Sequence, residues 1–86
     1  MTGLRKRLSG FMVREANGEF LLLDTESDRI HQLNRTASLI WRGCDGAASP
    51  EEIAAVLAKE FDVAEHKALA DVVKTLEELR SIGALE

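Results

Sequence analysis

The chain has 86 residues, of which 45% are hydrophobic and 30% charged. That length supports one small core and excludes a second, and the composition is that of a globular domain. A single cysteine, Cys44, excludes a scaffold held by internal disulfides and favours a reducing compartment. No apolar run approaches the ~18 residues that span a bilayer. The basic Arg5-Lys6-Arg7 is not followed by the apolar stretch of a secretory signal. The expectation is a cytoplasmic protein with no membrane partner, forming one domain over residues 1–86 with residues 1–9 as a flexible basic arm. The formal net charge of −4 conceals an asymmetry: residues 1–14 carry four basic side chains and no acid, and the other 72 carry 7 basic and 15 acidic ones. An acidic body does not suit phosphate-backbone binding.

The first half of the chain reads as strands. Phe11-Met12-Val13-Arg14-Glu15 is followed by Asn17-Gly18, a dipeptide favoured in two-residue hairpins because both positions need positive φ. A second strand covers Glu19 to Asp24. The polar Thr25-Glu26-Ser27-Asp28 makes a turn, and a third strand runs from Arg29 to Leu33. Its alternation is too poor to say which face is buried. An antiparallel meander is the simplest assembly.

The second half reads as helices. Asn34 caps a helix from Arg35 to Asp45, which Gly46 ends in the left-handed conformation. Ser49-Pro50-Glu51-Glu52 is a capping box with proline in the first turn. The helix it opens has Ile53, Val56, Leu57 and Phe61 as its apolar stripe and breaks at Asp62 or Val63. A third helix covers Ala64 to Ile82, and Gly83 stops it. Leu69, Val73 and Leu76 centre its apolar stripe, with Ala68, Val72, Thr75 and Leu79 along the flank. The expected architecture is α+β, a winged helix-turn-helix with a three-stranded antiparallel sheet followed by three helices, βββααα.

Catalytic material is scarce. His31, His66 and Cys44 form no ligand-spaced motif, and the glycines form no phosphate loop. Cys44 reads as a core side chain, the two histidines as surface or half-buried ones. The expectation is a non-enzyme without metal or cofactor. The third helix carries more acid than base, so it is not a phosphate reader. A winged-helix nucleic-acid-binding module using the basic arm is the alternative. Peptide capture uses the parts better. A meander has edge strands with unpaired backbone groups, and an extended peptide can join such an edge as an extra strand. The third strand lacks proline, so each of its residues keeps its N–H. The flank of the third helix supplies small and medium side chains for a groove wall.

Several segments then fall into a known pattern: Leu21-Leu22-Leu23-Asp24-Thr25, Arg29-Ile30-His31-Gln32-Leu33-Asn34, Thr36-Ala37-Ser38-Leu39-Ile40-Trp41 and Cys44-Asp45-Gly46. With Glu51-Glu52-Ile53-Ala54, Phe61-Asp62-Val63 and Ile82-Gly83-Ala84-Leu85, the stretch 11–86 resembles the PqqD family. Leu33-Asn34-x-Thr36-Ala37 and Asp45-Gly46 carry the likeness most specifically. Arg35 departs from it, standing where the family usually has proline.

The resemblance implies a small winged-helix element that recognises the leader segment of a ribosomally made precursor peptide. Such an element presents the leader to a modifying enzyme, a radical S-adenosylmethionine protein or a leader protease, in pathways such as PQQ or lasso-peptide synthesis. It also implies that the leader joins the third strand against the third helix. By position, the expected site is Arg29, Ile30, His31, Gln32 and Leu33, with Ala68, Val72, Thr75 and Leu79 as the wall. A homodimer through the same edge is a further expectation.

Overall fold

The computed structural model describes residues 4–86. Three antiparallel strands, β1 (Phe11–Ala16), β2 (Glu19–Asp24) and β3 (Arg29–Leu33), form a sheet in the order β1-β2-β3. Three helices follow: α1 (Arg35–Arg42), α2 (Pro50–Phe61) and α3 (Glu65–Ser81). This is the expected α+β order, βββααα.

Local chemistry sets most boundaries. Asn17 and Gly18 have φ of 55° and 82°, the two left-handed positions that a type I′ turn requires. The Asn34 side chain accepts from the Ala37 N–H at 2.8 Å and starts α1. Ser49 and Glu52 exchange both bonds of the capping box ahead of α2. Asp62 (φ 54°) ends that helix. The carboxyls of Asp24 and Asp45 each accept two backbone N–H groups and tie the turns after them. Asp24 takes Glu26 and Ser27; Asp45 takes Ala47 and Ala48. These bonds hold both carboxyls below the ordinary aspartate range.

The end of the first helix departs from the expectation. α1 ends at Arg42, not Asp45, and its cap is Gly43 in the right-handed region; Gly46 is left-handed (φ 90°) but lies in the next turn. Lys6 meets this end: its ammonium donates to the carbonyls of Arg42 (3.2 Å) and Cys44 (3.1 Å). A cation at a helix C-terminus both satisfies orphan carbonyls and suits the macrodipole. Lys6 also lies 5.8 Å from the centroid of Trp41. Part of the segment expected as a flexible basic arm meets the body of the domain. Residues 1–3 lie outside the described residues, but Arg5 bridges to Asp45 and Lys6 to Leu85. Arg7 N–H donates to Ala84 C=O at 2.9 Å, and Glu86 N–H donates to Arg5 C=O at 3.0 Å. Residues 4–7 are thus a short clasp between the α1–α2 turn and the tail.

The core lies between the inner sheet face and the helices, with Leu22, Ile40, Trp41, Leu57, Val72 and Leu79 fully enclosed. Phe20 meets Trp41 edge-on at 5.0 Å, and the Trp41 indole donates to Ala84 C=O at 3.2 Å. The helix faces are rotated from those expected. α2 buries Ile53, Ala54, Leu57 and Ala58 and leaves Val56 and Phe61 exposed; α3 buries Ala68, Val72, Leu76 and Leu79 and leaves Val73 exposed. The buried faces of α2 and α3 include the small Ala54, Ala58 and Ala68, which allow packed helices to approach closely.

Among the described residues, Ser38 is the one polar residue buried with the core. Its hydroxyl accepts from the Phe20 N–H and donates to the Leu33 C=O, both at 2.9 Å. Phe20 and Leu33 face each other across β2 and β3, so the hydroxyl is inserted as the last link of that ladder. Ser38→Ala leaves both backbone groups short of a partner, and a loss of about 1–3 kcal/mol is expected from that penalty. Urea unfolding checks it: the midpoint falls while the slope is unchanged.

Candidate functional site

β1 packs on β2 alone, whereas β3 packs on both β2 and α1. α3 also packs on α1, yet α3 and β3 make no direct backbone approach. α1 therefore holds a strand and a helix apart, and the space between them is a cleft of about 650 Å³. Ile30, His31, Gln32 and Leu33 line one side. Asp71, Lys74, Thr75, Glu78, Leu79 and Ile82 line the other, and Asn34, Thr36 and Ala37 lie at the start of α1.

The backbone of β3 is half engaged. A type I′ turn closes on a hydrogen-bonded pair, here Ala16 with Glu19, and pair types alternate along an antiparallel ladder. Phe20, Leu22 and Asp24 must then direct their backbone groups away from β1. The Phe20 N–H, bonded to Ser38, does so. Their partners Leu33, His31 and Arg29 face inward to β2, which turns the N–H and C=O groups of Ile30 and Gln32 to the open edge. Among the described residues no strand covers that edge.

Of the residues expected at the site, Ile30 to Leu33 lie on the strand side of the cleft. Thr75 and Leu79 do line the cleft. Ala68 and Val72 have no accessible surface and back the wall from within the core. Arg29 is exposed on β3 outside the lining. Asp71, Lys74, Glu78 and Ile82 were not anticipated. They follow once the core face of α3 is centred on Ala68, Val72 and Leu79, because 100° per residue puts them on the adjoining flank. The lip is thus charged, with Lys74 between Asp71 and Glu78. Among the described residues only Arg42 and Glu15, 3.0 Å apart on the far side of α1, fall within ion-pair distance. The lip charges are free to meet a ligand.

The family described as coenzyme PQQ synthesis protein D (PqqD) matches residues 19–85. The chain belongs to the PqqD family. No curated relative matches it. Two solved structures resemble this PqqD-family chain along nearly its whole length. One is described as lasso peptide synthetase B1 complexed with the leader peptide: 29% identity, TM-score 0.83, 96% of each chain covered. The other, TbiB1 in complex with the TbiA(beta) leader peptide, shares the fold at 22% identity with a TM-score of 0.81, covering 95% of this chain and 94% of that one.

Other chemistry is sparse in this PqqD-family fold. His31 is half-buried and His66 exposed, and among the described residues no three potential ligands gather for a metal. No described helix is long and apolar enough to cross a membrane. Cys44 is buried and donates to the Ile40 carbonyl at 3.3 Å. Burial pushes its thiol up to about 11, outweighing the opposite pull of Lys6. The unfolded thiol ionises near 9.0, so this share of stability is full below pH 9 and is lost as pH rises toward 11. Urea unfolding at about pH 8 and about pH 10.5 is expected to show a smaller alkaline loss for Cys44→Ala than for the native chain. Equal losses in both would refute the assignment.

Proposed function

We propose that this chain is a non-catalytic recognition element that binds the leader segment of a precursor peptide and presents it to a modifying enzyme. The observation that carries the reading is the open edge at Ile30 and Gln32 beside a cleft that α1 keeps from closing. A guest strand would take its register from those backbone groups and lie about 4.8 Å from β3. Alternate guest side chains would then point into the cleft, toward Thr75, Leu79 and Ile82. Arg29 to Leu33 form the docking strand, and Asp71, Lys74 and Glu78 supply a charged lip. Family membership and the leader-bound state of the two similar structures support the same reading. The partner enzyme would be a radical S-adenosylmethionine protein or a leader protease, and the compartment the cytoplasm.

The nucleic-acid alternative depended on a free basic arm. Lys6 now spends its ammonium on α1 carbonyls, and Arg5 and Arg7 belong to the clasp. No observation favours that reading.

Fluorescence anisotropy with labelled peptides, translated from the short reading frames beside this chain's gene, tests the proposal. Saturable binding at about micromolar Kd or tighter is expected. Gln32→Pro removes an outward-facing donor and should reduce affinity at least about tenfold in a protein whose circular dichroism is unchanged. Thr75→Trp, which fills the cleft from the helix side, should abolish binding without touching the ladder. Full affinity in both folded variants would overturn the site.

A further inference from the structure

The outer face of the sheet carries an apolar row that runs up to the strand bordering the cleft. Met12, Leu23 and Ile30 are register partners across all three strands. They lie on the face opposite Leu22, which is buried against the helices. A row of three apolar side chains therefore crosses the outer face and stops at the open edge. Its last member, Ile30, is 64% exposed, the highest value among the exposed large hydrophobic residues, and Met12 at the other end is 48% exposed. The next row on the same face is Arg14, Leu21 and Gln32, polar at the edge.

A lone exposed isoleucine means little. Its place in the ladder gives this one a consequence. The backbone groups of Ile30 point outward, so a strand joining this edge must set one residue beside Ile30. Cross-strand neighbours share a face, in parallel as in antiparallel pairing. That guest side chain lies on the outer surface, not in the cleft. We infer that Ile30 is a specificity-determining residue: it selects a β-branched or aromatic side chain at one outward position of the guest strand and thereby fixes its register. The inference rests on the reading of β3 as the docking edge.

The occupant follows from the rows. An apolar guest residue beside Ile30 extends Met12–Leu23–Ile30 by a fourth member and covers the exposed end. Two residues along the guest, the outward position meets Gln32 and gains nothing from being apolar. A slip by two residues exchanges these environments, and a slip by one sends the outward side chains into the cleft. The cleft alone does not discriminate a two-residue slip as sharply, since its wall repeats small and apolar groups at Thr75, Leu79 and Ile82.

The test uses random twelve-residue peptides displayed on phage and selected on the intact chain. Binders should share an outward β-branched or aromatic residue at an odd offset from the residue that enters the cleft. A synthetic consensus peptide with that position changed to Ser should bind the native chain about three- to fivefold more weakly, the scale of one cross-strand pair. On Ile30→Thr, which keeps the β-branch at an exposed site, the same change should cost less than about twofold. Equal losses on both proteins would overturn the role of Ile30 while leaving leader recognition standing. Failure of every peptide to bind the native chain would instead overturn the docking edge and this inference with it.

Discussion

The hydroxyl of Ser38 stands where β2, β3 and α1 meet. It accepts from one strand and donates to the next, at 2.9 Å on each side, and it rides on the second turn of α1. The last link of the β2–β3 ladder therefore runs through a helix side chain. This ties the direction of β3 to that of α1. Since α1 also packs on α3, the same hydroxyl fixes how far β3 stands from α3. The cleft is the remainder: a strand and a helix share one support and do not reach each other. A buried hydroxyl with both roles filled costs little, and removing it strands two backbone groups.

Turn and cap chemistry made much of the fold legible. Asn17-Gly18, Ser49-Pro50-Glu51-Glu52 and Asn34 act within a few residues of themselves, so local sequence sufficed. The third strand was placed correctly because turn residues bound it on both sides. What stayed hidden depended on distant partners. The end of α1 is met by Lys6, which lies 36 residues from one of the carbonyls it bonds. The buried faces of α2 and α3 include alanines, whereas hydrophobic weight points to Val56, Phe61 and Val73, which are exposed. The flank of α3 that lines the cleft was hidden with them: Ala68 and Val72 lie in the core, and Asp71, Lys74, Glu78 and Ile82 border the space. Nothing in a lone serine announces that its oxygen will complete a sheet.

Electrostatics divide the molecule by role. Near the start, the Lys6 ammonium is engaged internally as helix cap and ring partner, and Arg5 and Arg7 are held through their main chain. The exposed acids of α3 face outward, and two of them border the cleft. The charge asymmetry of the sequence thus reflects one segment built to be held and one surface left to negotiate with a ligand. Cys44, enclosed beside Lys6, belongs to the held part, its thiol kept neutral by burial.

The clasp has a topological consequence. With the Glu86 amide on the Arg5 carbonyl and Lys6 bridged to Leu85, the path through the fold departs almost where it arrives, and the folded body is close to a ring. A short peptide joining those neighbours, with a cut opened in the exposed Thr25–Asp28 turn, would give a circularly permuted chain with the same arrangement of strand, helix and gap. For the same reason the domain could be spliced into a surface loop of a host protein without spreading that loop's ends.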